Sequence, residues 1–100
     1  MQLGQYQREH EELTRFIQNL VGDGTIIVSK ISHGNHSSQV HIHLRKQVNE
    51  STTTDSFRLF LELGTVIPSG MNVYNPVIIQ DIKKNLSKET VHGAFPKWFL

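Results

Sequence analysis

The stretch SHGNHSSQVHIHLR, Ser32 to Arg45, decides how this chain is read. Its second half alternates strictly: Val40, Ile42 and Leu44 fall on one side, His41, His43 and Arg45 on the other. That period of two is the signature of a strand with one buried and one open face. Its first half, rich in Ser, Gly and Asn, reads as the loop of a hairpin. The residues before that loop, Thr25 to Ile31 (TIIVSKI), are short and β-branched, so two adjacent strands are predicted, Thr25 to Ile31 and Val40 to Val48.

Working outward, Ser56 to Val66 alternates again, with Phe57, Leu59, Leu61 and Leu63 opposed to Arg58, Phe60 and Glu62. A third strand is expected there, after a polar linker NESTTTD. Towards the N-terminus, Leu3, Tyr6, His10, Leu13, Ile17 and Leu20 recur at spacings of three and four, the stripe of an amphipathic helix closed by Gly22-Asp23-Gly24. The stripe fits an a/d seam, but it runs for less than three heptads, so it is expected to cover the sheet. Beyond the turn at Pro68-Ser69-Gly70, Asn75-Pro76 is a helix start, and Ile78, Ile82 and Leu86 carry the buried side of a second helix. The tail KETVHGAFPKWFL ends on Phe95, Trp98, Phe99 and Leu100.

The expectation is one domain over residues 1–100 of α+β class, helix, three-stranded antiparallel sheet, helix and apolar tail in two layers. Both helices would lie on the Val40, Ile42, Leu44, Phe57, Leu59, Leu61 and Leu63 face. The other face would carry His41, His43, Arg45, Arg58, Phe60 and Glu62, with Lys30 beside them. Such a sheet leaves two edges, to be covered by the tail or by a second copy of the chain, so a homodimer is one expected state.

Composition narrows the chemistry. There is no cysteine, which removes thiol catalysis, thiolate metal sites and a disulfide scaffold. Ten Lys and Arg stand against nine Asp and Glu, so the chain as a whole has no strong field and any charged partner must meet a local patch. No apolar run approaches the roughly 20 residues of a membrane span, and MQLGQYQREHEE lacks the apolar core of a signal peptide. A cytoplasmic chain without membrane contact is expected.

The Ser32–Arg45 stretch holds four of the six histidines, and His41 and His43 would project from one strand face roughly 7 Å apart. Two imidazoles are half of a zinc-type site; His33 or His36 in the loop, Glu62 or His92 would have to complete it. Ser37 or Ser38 beside His36 or His41 sketches a nucleophile and base, with no orienting acid evident from the sequence. The order of elements resembles that of double-stranded-RNA-binding domains, which implies RNA contact through the first helix, a loop and the start of the second helix. The basic cluster of that family is missing, since Asn75 to Gln80 contains no Lys or Arg.

The function expected from these residues is a non-enzymatic protein-binding or adaptor module, needing no cofactor. Its contacts would be His41, His43, Arg45, Arg58 and Phe60 on the open face, with Trp98 and Phe99 on the tail. A nucleic-acid-binding module and a metal protein using His41, His43, His33 and His36 are the alternatives.

Overall fold

A computed structural model of the chain describes residues 3–100, with the side chains of residues 3–5 and 52–55 left aside. The elements are α1 (Leu3–Val21), β1 (Ile26–His33), β2 (Gln39–Asn49), β3 (Thr52–Glu62), α2 (Pro76–Asn85) and α3 (Lys88–Ala94). The three strands form one antiparallel sheet in the order β1-β2-β3, so the α+β arrangement expected from the sequence is the one observed.

Helix α1 buries Leu13 and Ile17 completely and Phe16, Leu20 and Val21 in part. Its stripe is used to cover β1 and the neighbouring helices; Leu3, placed at the head of that stripe by the sequence, lies outside the described side chains. Gly22 ends the helix at φ +79°, with its N–H on the Gln18 carbonyl at 2.7 Å. An L residue with a side chain rarely adopts that conformation, and glycine does so freely.

Val40, Ile42, Leu44 and Leu59 are fully buried and Leu61 nearly so, beneath the helices. Each such side chain contributes on the order of 1.5–3 kcal/mol by leaving water. In the register of the sheet, His43 lies opposite Lys30 on β1 and Arg58 on β3, while His41 lies opposite Ser32 and Phe60. A bulge at Ser29 shifts β1 between Val28 and Lys30.

β1 runs on to His33, past the expected end at Ile31, because Ser32 and His33 pair with His41 and Val40, and three further segments differ from the sequence reading. The polar segment NESTTTD is no linker: Asn49 Oδ1 accepts from Ser51 N at 3.0 Å and from Ser51 Oγ at 3.2 Å, closing a tight turn, and β3 starts at Thr52. Runs of threonine suit a pleated strand, which outweighs their polarity. At the other end β3 stops at Glu62 rather than Val66. Leu63 N–H and Ile67 N–H are taken by the carbonyls of Ser38 and Ser37 in the β1–β2 loop, each at 2.7 Å.

The third difference is the tail, which contains α3. Ser87 caps that helix by accepting from Thr90 N at 3.1 Å, and Val91 is fully buried. Beyond it Phe95 and Phe99 join the core beside Phe57, with ring centroids 5.4 and 5.6 Å from it. Lys46 Nζ holds the end of the chain, bonding Asp23 Oδ2 at 2.7 Å and the Leu100 carbonyl at 3.2 Å.

Asn75 caps α2 as expected, accepting from Val77 N at 2.9 Å ahead of Pro76. Ile78, Ile79 and Ile82 are its buried side. Among the described residues no helix is long and apolar enough to cross a membrane.

Candidate binding surface

The sheet face turned away from the helices carries two cross-strand rows. One is Lys30, His43 and Arg58, one residue from each strand; the next is Ser32, His41 and Phe60. Arg45 stands in the row on the other side of Lys30, His43 and Arg58, between Ile27 and Ser56. Residues directly opposite in an antiparallel pair bring their Cβ atoms to about 5 Å, so the register alone sets two cations, Lys30 and Arg58, on either side of the His43 imidazole.

His41 is the buried member of this face, only 7% exposed, because Phe60 lies flat over it, with 4.1 Å between centroids and 12° between planes. Its Nε2 is 3.1 Å from Gln39 Oε1. That oxygen also accepts from Asn35 N at 2.9 Å while Gln39 Nε2 donates to Glu62, so the amide is oriented and His41 Nε2 is the donor. Burial and then the nearby Arg58 hold the His41 pKa below its ordinary value. His43 Nε2 is paired with Ser32 Oγ at 2.9 Å; its pKa is lowered by burial first, then by Lys30, Arg58 and His41. Both rings are therefore neutral at pH 7, and the charge of the face comes from Lys30, Arg45 and Arg58.

Phe60 is half-exposed with the Arg58 guanidinium 6.0 Å above its ring. Glu62, at the end of β3, is turned to the loop: its Oε1 is 2.7 Å from His36 Nε2 and its Oε2 accepts from Ser38 Oγ at 3.1 Å. Among the described residues neither Arg45, Arg58 nor Lys30 has an ion-pair partner. A shallow hollow of about 510 Å³ lies between Arg45, Arg58, His43, Ser29 and Ser56.

The remaining expected residues fall apart from this face. Phe99 is fully buried and serves as the anchor of the tail, whereas Trp98 beside it is 60% exposed. Among the described residues no three His, Cys, Asp or Glu side chains gather where they could hold a metal. His36, with Nδ1 on Ser38 Oγ at 3.1 Å and Nε2 on Glu62, has both ring nitrogens engaged. The structure does supply the acid that the sequence left open for Ser38 and His36. Yet Ser38 Oγ donates to that same carboxylate, closing a ring of three on an exposed loop. Such a ring braces the β1–β2 loop against the end of β3.

What sequence reasoning missed is a groove between α1 and the outer edge of β1. It is lined among others by Tyr6, His10, Arg15, Ile27, Lys30 and Tyr74. Tyr6 and Tyr74 stack at 4.2 Å, and the Tyr74 hydroxyl accepts from Ile31 N at 3.1 Å while pairing with His10 Nε2 at 2.7 Å. The only trace in sequence is that His10 and Tyr74 are polar-tipped residues beside apolar runs.

No protein-family model, no curated protein and no solved structure matches this chain.

Proposed function

We propose that this chain is a small cytoplasmic, non-enzymatic protein-binding module whose open sheet face receives an acidic segment of a partner protein. The observation that carries the reading is the row Lys30, His43, Arg58 with Arg45 alongside, bordered by the half-exposed ring of Phe60. Cations without described acidic partners favour carboxylates arriving from outside, and an adjacent aromatic adds an apolar anchor at the centre of the contact. Arg45 and Arg58 offer planar forks suited to bidentate carboxylate binding. Trp98, exposed at the end of the chain, is a second apolar contact for the same or another partner.

A nucleic-acid reading draws on the same row, because Phe60 is placed to stack a base while the cations meet phosphates. Three cations on a chain of net charge +1 make that the second choice. A homodimer is a further partner state of this proposal. The edge of β1 is closed by Thr14, Gln18 and Tyr74, and no equivalent caps are seen on β3 among the described residues.

The test is affinity capture from extract with the wild-type chain and with the Arg45→Glu, Arg58→Glu double variant, each with and without nuclease. The reading expects a nuclease-resistant protein retained by the wild type and lost with the variant. Retention lost on nuclease treatment selects the nucleic-acid reading, and equal retention by both chains removes the face from consideration.

A further inference from the structure

The groove between α1 and β1 has a volume of about 740 Å³, within the range of roughly 300–1,000 Å³ typical of small-molecule sites. Its polar floor is internally satisfied. Thr14 Oγ1 accepts from Val28 N at 2.8 Å, Gln18 Nε2 donates to the Ile26 carbonyl at 2.9 Å, and the Tyr74 hydroxyl accepts from Ile31 N. These side chains occupy the hydrogen-bonding positions that an added strand would need, so the edge of β1 is closed to strand addition.

What the groove still offers is apolar surface, from Ile27 and the two tyrosines, and charge. Arg15 lines it from the helix and Lys30 from the strand, and neither has an ion-pair partner among the described residues. Glu11 is the one acid among the lining residues, and its Oε1 already accepts from Gln7 Nε2. The balance of two cations against one engaged carboxylate is complementary to a single negative charge. We propose that this groove binds a small amphipathic anion, an aliphatic or aromatic body carrying one carboxylate, packed on Ile27, Tyr6 and Tyr74 with its carboxylate drawn to Arg15 and Lys30.

The groove borders the sheet face and shares Lys30 with it, but Arg15 belongs to the groove alone and Arg45 and Arg58 line no part of it. Titration with monomeric dodecanoate, followed by calorimetry and amide chemical shifts, tests the proposal, with uncharged dodecyl maltoside as the control. Saturable one-to-one binding is expected, with shifts centred on Ile27 and Tyr74. Arg15→Glu combined with Lys30→Glu should weaken it at least about tenfold, while Lys97→Glu, exposed on the tail and outside the groove lining, leaves it unchanged. Both substitutions lie on exposed positions, and an unaltered circular-dichroism spectrum confirms the fold. Absence of saturable dodecanoate binding overturns the proposal. Equal affinity for dodecyl maltoside, or indifference to the charge reversals, overturns it as well.

Discussion

The imidazole of His41 is sealed by the phenyl ring of Phe60, stacked 4.1 Å away on the adjacent strand. The exposed ring thus keeps the buried one from water, and it ties the aromatic contact of the open face to the stability of the sheet. A stack of this kind contributes about 0.5–1.5 kcal/mol beyond burial. Phe60→Ala should therefore lower Tm by several degrees, roughly 4–8 °C per kcal/mol for a domain of this size. Arg58→Ala, on an exposed position, should leave Tm within a degree or two. Thermal melts of the two single variants separate these effects.

Stability should fall on mild acidification. His10, His41 and His43 all have pKa values below the ordinary 6.5 in the fold, each with burial as the first cause. In the unfolded chain they protonate near 6.5, so between that pH and their lower folded values the unfolded state binds more protons. Their full contribution is present above about 6.5 and declines as pH drops through the window below it. Melts at pH 7.5 and 5.5 should give the lower Tm at 5.5, and His43→Gln should flatten the difference. Asp23 acts elsewhere: its hydrogen bond to Lys46, then that to Thr25, lowers its pKa from 3.8 to about 2. Its contribution is lost only between those two values.

The two aromatics that close the tail should behave oppositely. Phe99 is fully buried beside Phe57 and Phe95, so Phe99→Ala should cost about 3–5 kcal/mol. Trp98 keeps edge contacts with Phe57 and Phe99 but is mostly exposed, and Trp98→Ala should cost about 1 kcal/mol or less. Urea unfolding of the pair measures both; near-equal losses would show that the tail does not dock through Phe99.

Tyr74 closes the edge of β1 through one hydroxyl. Tyr74→Phe leaves Ile31 N and His10 Nε2 without that partner, at a cost of about 1–3 kcal/mol. It should also raise the hydrogen-exchange rate of the Ile31 amide more than that of Val28, which keeps Thr14.

The legible parts of this fold are those with local periodicity. The alternation from Val40 to Arg45, the stripe through Leu13 and Ile17, and the Asn75-Pro76 start each follow from neighbours in sequence, and each stands where it was expected. Helix α3 was hidden because a helix of seven residues after Ser87 is too short to show a stripe, so its burial through Val91 and Phe95 reads only as apolar tail. The start of β3 was hidden because polarity and strand propensity oppose each other in Thr52-Thr53-Thr54. On the open face the sequence names the residues and not their states. That His41 is covered while Phe60 is open depends on the β2–β3 register, and the groove depends on a tyrosine 64 residues from its histidine.

The most direct measurement of the central claim is comparative capture with the wild-type chain and the Arg45→Glu, Arg58→Glu variant after nuclease treatment. A protein held by the first and absent from the second, at matched Tm, is the result this account predicts. The same proteins recovered with both chains would contradict it, for the open face would then contribute nothing to binding.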